Sequence, residues 1–330
     1  METEKILVTG GAGYIGSHAV LALLDAGYPV MVLDDISTGH AALVPKGAEF
    51  IQGNVSDMHA LDRIFAQHEI SAIMHFAAKL IVPESVTNPG LYYANNVGKF
   101  TALLQRAVTA GVKNFIFSST AAVYGNPATS PVTEDTTPLP INPYGSSKLM
   151  AEKVLADMAT AHGLRAAVLR YFNVAGADPG GRSGQISKNA THLIKVAVEV
   201  AVGKRAGMQI FGTDYSTPDG TCVRDYIHVT DLADAHVKAL EYLLSEEKSI
   251  TLNCGYGHGF SEREVIDVVS KVSGTPIKAD LAPRREGDPA ALVADTKKIR
   301  DTLAWQPRYD HLETIVAHAL AWERKQQGKS

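Results

Sequence analysis

The stretch Lys5-Ile-Leu-Val-Thr9-Gly10-Gly-Ala-Gly13-Tyr14-Ile15-Gly16 decides the fold. A short apolar run closed by glycines and followed from Ser17 to Ala26 by helical apolar spacing reads as strand, tight turn, helix. Gly10, Gly13 and Gly16 form a G-x-x-G-x-x-G pattern. Glycines let the backbone turn sharply and approach a pyrophosphate at a helix N-terminus, where unpaired N–H groups and the helix dipole favour an anion. Pro29-Val-Met-Val-Leu33 is a second buried strand ending at Asp34, 18 residues beyond Gly16. A carboxylate there suits the hydroxyls of an adenosine ribose and repels a 2′-phosphate, so the pattern predicts NAD rather than NADP.

Working outward, strands and helices keep alternating. Glu49–Gln52 is a strand, followed by Asn54 and Val55; 59–68 is a helix; 72–76 is a strand ending at Phe76, Ala77 and Ala78. A long helix is expected over 91–110, a strand over 114–118 and a sixth strand over 165–171. Such alternation predicts an α/β fold, a Rossmann-type doubly wound parallel sheet whose ligands sit at the carboxyl ends of the strands. Asp34, Asn54, Phe76 and Ser118 to Thr120 should therefore ring one crevice.

Tyr144-Gly-Ser-Ser-Lys148 opens the helix before the sixth strand. Residues four apart share a helix face, so phenol and ammonium can converge on one reacting atom. A nearby cation favours the phenolate and can lower a tyrosine pKa of ~10 by ~1–3 units, making Tyr144 a candidate base.

Composition excludes several classes. The 330 residues carry 45% apolar and 20% charged side chains with a net charge of −4, which offers no general attraction for nucleic acid or an anionic membrane. The sequence contains no apolar run long enough to span a bilayer and no signal-peptide pattern, so a cytoplasmic location is expected. Cys222 and Cys254 lack partners at metal-ligand spacing and read as reduced, buried thiols, with no metal expected. The second half is less regular: 178–189 reads as an exposed loop, helices are expected over 191–202, 231–244 and 312–326, and Ser261-Glu-Arg-Glu264 is a capping box.

Together, Thr9 to Gly16, Asp34, His75-Phe-Ala-Ala78, Ser118-Ser-Thr120, Val123-Tyr-Gly125, Tyr144-x-x-x-Lys148 and Arg170-Tyr-Phe-Asn173 resemble the extended short-chain dehydrogenase/reductases. Ile210-Phe-Gly212, Asp219-Gly-Thr221, Val223 to Val229, Asn253-Cys-Gly255 and Ala282 to Asp288 are similar to the UDP-galactose 4-epimerase branch of that family. The resemblance implies an NAD-binding domain over 1–173, to which the chain returns later, and a smaller, mainly nucleotide-sugar-binding α/β domain over 174–330. It implies oxidation and re-reduction of a UDP-sugar at C4, with Tyr144 as base, Lys148 on the phenol and the nicotinamide ribose, and Thr120 on the sugar O4. Asn95, Ser118 and Phe172 join the glycine turn, Tyr14, Ile15, Asp34, Asn54, Val55, Phe76, Ala77 and Ala78 as implied cofactor contacts. Asn173, Leu193, Gln209, Phe211, Arg224, Arg285, Asp288 and Leu292 are the implied substrate contacts, and Leu292 is expected to limit entry of an N-acetyl sugar.

Four positions depart from the family pattern: threonine stands at 120 where serine is commonest, Asn54 replaces an aspartate, Leu80 replaces a lysine found in some members, and His192 an asparagine. The alternatives within the fold are another nucleotide-sugar epimerase, or a dehydratase or decarboxylase, which would need acid/base groups where Ala121-Ala122 stands; a non-enzymatic NAD-sensing scaffold could dispense with the Tyr/Lys pair. The resemblance also implies a homodimer through helices 91–110 and 144–161, with Tyr92, Leu103, Leu104, Leu149, Val154 and Leu155 expected to supply surplus apolar surface.

Overall fold

A computed structural model describes residues 4–187, 190–285 and 288–328. The chain forms two compact units, neither contiguous: residues 1–124, 140–170 and 233–252 make the first, and 125–139, 171–232 and 253–330 the second.

The first unit is built on a seven-stranded sheet. In chain order its strands are β1 (Lys5–Thr9), β2 (Val30–Asp34), β3 (Glu49–Gln52), β4 (Ile70–His75), β5 (Asn114–Thr120), β6 (Arg165–Tyr171) and β7 (Ile250–Cys254). They lie in the order β7-β6-β5-β4-β1-β2-β3. β1 pairs in parallel with β2 and β4, β2 with β3, and β4 with β5. The strand order reverses at β1, which leaves a crevice at the carboxyl ends of β1 and β4. All residues of β2 and β5 are buried, as expected of strands covered on both faces. Leu7, Met31, Leu33, Ile73, Phe115 and Phe117 fill one face with Leu61 and Ile64 of α2 (Met58–Gln67) against them.

α1 (Tyr14–Asp25) starts three residues earlier than the apolar spacing indicates, because Gly13 in extended backbone is its N-cap. The expected helix over 91–110 is also different. A short α3 (Val82–Thr87) precedes α4 (Pro89–Tyr93), which runs through a π-helical turn, Ala94–Lys99, into α5 (Phe100–Thr109). The wider turn places the buried Asn96 amide against the chain: it accepts from Lys79 N at 2.8 Å and donates to Lys79 O at 2.9 Å and Ser147 Oγ at 3.0 Å. π-Turns of this kind concentrate at functional sites.

α6 (Pro143–His162) is capped by Asn142 and carries Pro143 in its first turn. The expectation of surplus apolar surface on these helices is corrected: Tyr92, Leu103, Leu104 and Leu155 are fully buried inside the chain, and Leu149 and Val154 half-buried. The aromatic and leucine side chains are consumed by the sheet and by packing of α5 on α6.

The second unit uses short strands. Asn173–Ala175 pairs with Tyr226–His228, and Met208–Phe211 with Ala279–Ala282, both in parallel. Val223–Arg224 lies between Phe260–Ser261 and Ala291–Leu292. Helices Leu193–Ala201, Glu262–Ser273 and Leu312–Gln326 pack together, and Ser261 with Glu264 forms the expected capping box. The segment read as an exposed loop at 178–189 is a loop over its described residues, exposed at Pro179, Gly180 and Arg182 but tucked inward on either side of them. Asp178 and Ser183 are buried, Asp178 N donates to Ser183 O at 2.9 Å, and Gly184 lies so close to Trp322 that a Cβ would stand 2.4 Å from the ring. Its Gly and Ser content serves close packing on the C-terminal helix.

Candidate active site

The glycine turn is shaped by contacts that only glycine permits. Gly10 has φ +77°, and a Cβ on it would stand 2.6 Å from Ala77 N, so the exits of β1 and β4 touch. A Cβ on Gly16 would stand 2.2 Å from Gly10 O, which is why the first turn of α1 can pack on the loop that precedes it. That first turn has no acidic residue, and its N-cap, Gly13, supplies no side-chain cap. Its N–H groups and dipole are thus offered to an anion. Asp34, at the end of β2, accepts from Ala12 N at 3.0 Å and Ile36 N at 2.8 Å. Ile36 holds φ 57°, a strained conformation for a β-branched residue, and its N–H thereby reaches Asp34. Burial raises the Asp34 pKa above the usual carboxylate range while the two backbone bonds oppose it. Each carboxylate oxygen keeps a lone pair for a ribose hydroxyl. These features fit a dinucleotide: a helix N-terminus without a side-chain cap for the diphosphate, with an acceptor at the neighbouring strand end.

The other expected cofactor residues also make contacts within the scaffold. Asn54 donates to Asp35 Oδ2 at 2.8 Å and accepts from Ser56 Oγ at 2.9 Å, tying the exits of β2 and β3 together. Val55 is part of the core. Phe76 N donates to Thr9 O at 2.8 Å, and the Phe76 ring packs 4.9 Å from His236. Ala77 and Ala78 continue from β4 half-buried, and Asn95 sits in the π-turn, donating to Asn96 at 3.1 Å. Leu80, at the departure from the family pattern, is exposed, and the Lys79 backbone is clamped by Asn96. Phe172 falls in the second unit, its N–H donating to Cys254 O at 3.3 Å.

The Tyr/Lys pair is assembled on β5. Asn142 Oδ1 accepts from Gly145 N at 2.9 Å, and Gly145 lies where a Cβ would stand 2.6 Å from Ala122 O. The start of α6 therefore lies tight against the turn Ala121–Tyr124. Lys148 Nζ donates to Ser118 O at 2.5 Å and lies 4.6 Å from the centre of the Phe117 ring. Thr120 Oγ1 accepts from Ala122 N at 3.2 Å, so its own proton is available for the hydrogen bond it shares with Tyr144. One turn beyond Lys148, Glu152 accepts from Ser119 Oγ at 2.5 Å and from Arg170 Nη2 at 2.6 Å, and Arg170 Nη1 donates to Tyr124 Oη at 3.1 Å. Sequence reasoning placed Ser119 at the crevice but missed Asn96 and Glu152, although Tyr144, Lys148 and Glu152 repeat every four residues along one helix face.

The electrostatics differ from the expectation that Lys148 lowers the Tyr144 pKa. Burial dominates and raises it; the opposing pull comes from the Thr120 hydrogen bond. Burial pushes the Lys148 ammonium down to about 7, against an opposing attraction to Glu152.

In the second unit, Arg224 Nη2 lies 3.8 Å from Asp288 Oδ1, and Arg224 pairs in register with the buried Leu292. The Arg285 guanidinium stacks 3.6 Å from the centre of the Phe211 ring. Glu262, also overlooked, accepts from Phe211 N at 3.3 Å; Arg224 and Arg285 lower its pKa against a larger rise from burial. Gln209 is exposed on the same strand as Phe211. Asn173 and Leu193 line a cavity of ≈ 20 Å³ with His192, Tyr226 and Trp322. The structure thus collects Phe211, Arg224, Arg285, Asp288 and Leu292 around adjacent short strands, and Asn173, which lines the cavity with Leu193, donates its N–H at 2.9 Å to the carbonyl of Asp225, the residue after Arg224.

The Lys148 shift has a direct consequence for stability. Between the folded value near 7 and the ordinary value of 10.5, the unfolded chain binds the proton more strongly, so this group's contribution to stability rises with pH across that window. Replacing Lys148→Met should raise the melting temperature by about 2 °C or more at pH 6. The gain over the parent should shrink as pH rises towards 9; a constant difference from pH 6 to 9 in calorimetric scans would contradict the assignment.

Comparison with known proteins agrees with this geometry. Residues 6–255 match the NAD dependent epimerase/dehydratase family. A UDP-glucose 4-epimerase of Azospirillum brasilense is 53% identical over 98% of this chain and 92% of its own length. The crystal structure of the UDP-glucose 4-epimerase from Brucella ovis in complex with NAD is 43% identical, covers 97% of this chain and 98% of its own, and superposes with a TM-score of 0.94. That of the UDP-Glc/GlcNAc 4-epimerase from Campylobacter jejuni is 48% identical over 98% of this chain and 99% of its own, with a TM-score of 0.86. On the glycine turn, the Tyr144/Lys148 pair and this match over most of its length, the chain belongs to the NAD dependent epimerase/dehydratase family.

Proposed function

We propose that the chain interconverts UDP-galactose and UDP-glucose through transient oxidation at sugar C4. The observation that carries this reading is the Thr120, Tyr144 and Lys148 constellation on β5 and α6, in a chain whose relatives at about half identity are UDP-glucose 4-epimerases. Gly10, Gly13 and Gly16 with Tyr14 and Ile15 hold the NAD diphosphate, and Asp34 takes the adenosine ribose. Phe76 to Ala78, Asn95 and Ser118 line the path to the nicotinamide ribose, which Lys148 holds. NAD held there would supply a hydride acceptor and donor at C4, and turning the 4-keto sugar over between the two transfers would present its other face.

The residues of the chain move the proton. Tyr144 Oη takes the O4 proton as the C4–H bond breaks, leaving a 4-keto sugar, and gives it back when the hydride returns. Thr120 donates to the phenolate oxygen and orients O4. Burial makes a charged phenolate costly, so Tyr144 is a strong base once ionised and readily gives the proton up only to the newly formed alkoxide. In the second unit Arg224 and Arg285 suit a diphosphate, since guanidinium forks match its oxygens. Phe211 and Gln209 suit the uracil. Asn173 and Leu193 complete the nucleotide contacts, Asp288 orients Arg224, and Leu292 borders the sugar. Dehydration is disfavoured because Ala121 and Ala122, directly after Thr120, cannot move protons. The free, buried Cys222 and Cys254 suit the reducing cytoplasm.

The purified protein should convert UDP-galactose to UDP-glucose without added oxidant, and UDP-N-acetylglucosamine more slowly, since a tight apolar wall discriminates by only ~10–200-fold. Tyr144→Phe should keep the fold and lose at least ~10²-fold in rate. A parent protein inert towards UDP-galactose, or a variant with near-normal turnover, would overturn the reading.

We also infer a homodimer. With the expected leucines buried, the surface that supports it is Val82 and Val86 on α3 and Met150 on α6, which pack together and expose apolar side chains at 38%, 61% and 46%. A second copy covering them would bring α6 to its twofold mate. Light scattering at micromolar concentration should give twice the chain mass, and Val86→Glu with Met150→Glu should give a monomer. A parent protein of single-chain mass would end this inference.

A further inference from the structure

The reading of Lys148 as a catalytic ammonium leaves the buried Glu152 and Arg170 without a part. Both are at most 8% exposed. The Arg170 fork holds the carboxylate from two sides, Nε to Oε1 at 3.0 Å and Nη2 to Oε2 at 2.6 Å, and Ser119 Oγ adds a third donor at 2.5 Å. Arg170 in turn is fixed by Tyr124, whose hydroxyl accepts from Nη1 at 3.1 Å and whose ring lies 5.1 Å from the guanidinium carbon. A buried ion pair of this kind is no better for stability than apolar packing of the same volume, so its presence one helical turn from Lys148 calls for another reason.

We propose that Glu152 and Arg170 are positioning residues that set the charge state of Lys148: the carboxylate is shared between a fixed guanidinium and the catalytic ammonium, and the grip of Arg170 limits the negative potential that Lys148 receives. This rests on the proposed role of Lys148. The charged and titratable groups around the ammonium are few. Glu152 shares its face of α6 with Tyr144, His75 lies on β4, Arg170 on β6 and Tyr124 on the turn after β5 are linked to the ammonium through the Glu152 carboxylate, and Tyr92 on α4, bonded to Glu84 of α3, packs on Tyr144. His75 is bonded to Thr9 at 2.7 Å and held near 3 by burial and by Lys148, so it stays neutral. β5 itself contributes the Ser118 carbonyl and the Phe117 ring. Within this set Glu152 is the carboxylate whose charge acts on Lys148, and Arg170 is the cation that holds that carboxylate. With the carboxylate saturated by Arg170 and Ser119, burial outweighs its attraction and Lys148 rests near neutrality, able to hold or release a proton in the working range. A free carboxylate would pin Lys148 as ammonium, whereas a lone guanidinium would strip it.

The test reads Lys148 directly. Protein loaded with NAD and labelled with [13Cε]lysine is titrated by NMR, the Lys148 signal being assigned by its loss in Lys148→Arg. Arg170→Gln should move the midpoint up and Glu152→Gln should move it down, each by about 1 unit or more, the range for a neighbouring charge. A generally loosened site would not split the two variants in opposite directions. Equal midpoints, or shifts of the same sign, overturn the proposal. Should a single variant fail to fold, the double variant Glu152→Gln/Arg170→Gln, which buries no lone charge, decides it. Its midpoint should lie below that of the parent because the carboxylate is on Lys148's own helix face, and an unchanged midpoint overturns the proposal. In parallel, the alkaline limb of kcat for UDP-galactose should follow the NMR midpoint while KM holds. If the parent lacks this activity, the functional reading fails while the titration still judges the charge coupling.

Discussion

The site depends on the way α6 is fastened to the end of β5. Three adjacent strand residues each hold one residue of the helix: the Ser118 carbonyl holds Lys148, the Ser119 hydroxyl holds Glu152, and the Thr120 hydroxyl bonds Tyr144. The helix residues are spaced by four, so they form one polar stripe about 12 Å long on a helix that otherwise packs apolar side chains onto the sheet. Burying phenol, ammonium and carboxylate together is costly, and each is stabilised by a donor or acceptor from the strand. The cost remains visible in the displaced Tyr144 and Lys148 proton affinities. A surface Tyr/Lys pair at the same spacing would have neither displacement nor fixed geometry.

The rest of the first unit brings a hydride carrier to that stripe. The reversal of strand order at β1 opens the crevice, the glycine turn lets β1 and β4 exits touch, and the uncapped first turn of α1 supplies the partial positive charge that a chain of net charge −4 lacks overall. The π-turn belongs to the same construction. Asn96 uses it to hold the Lys79 backbone and Ser147, and Ser147 Oγ bonds Tyr144 O at 2.7 Å, so the segment after β4 and the start of α6 are locked together.

Local chemistry was legible in the sequence, and long-range neighbours were not. The glycine turn, Asp34 at the end of β2 and the four-residue spacing of Tyr144 and Lys148 are short patterns whose meaning is set within one or two turns of chain. That Glu152 meets Arg170, and that Ser119 donates to Glu152, depends on how β5, β6 and α6 align, which periodicity does not report. The surplus apolar surface assigned to α5 and α6 failed for the same reason, since spacing shows that a face is apolar and not which neighbour covers it. In the second unit the strands run two to four residues, too short for an alternating pattern to emerge. The Gly- and Ser-rich segment from 178 looked like solvent-exposed chain because small residues also serve close packing, here against Trp322. The Lys148 shift itself was invisible, because burial of an ammonium is a property of the folded neighbourhood.

The proposed chemistry requires that the end of β5 make Tyr144 a base. Its most direct measurement is the ionisation of Tyr144, followed by absorbance at 295 nm as the difference between the protein and its Tyr144→Phe variant, with and without Thr120→Val. Loss of the threonine hydroxyl removes the hydrogen bond that favours the phenolate and leaves burial unopposed, so the account predicts that Tyr144 titrates at higher pH in Thr120→Val. A Tyr144 titration that is unmoved, or moved to lower pH, would contradict it.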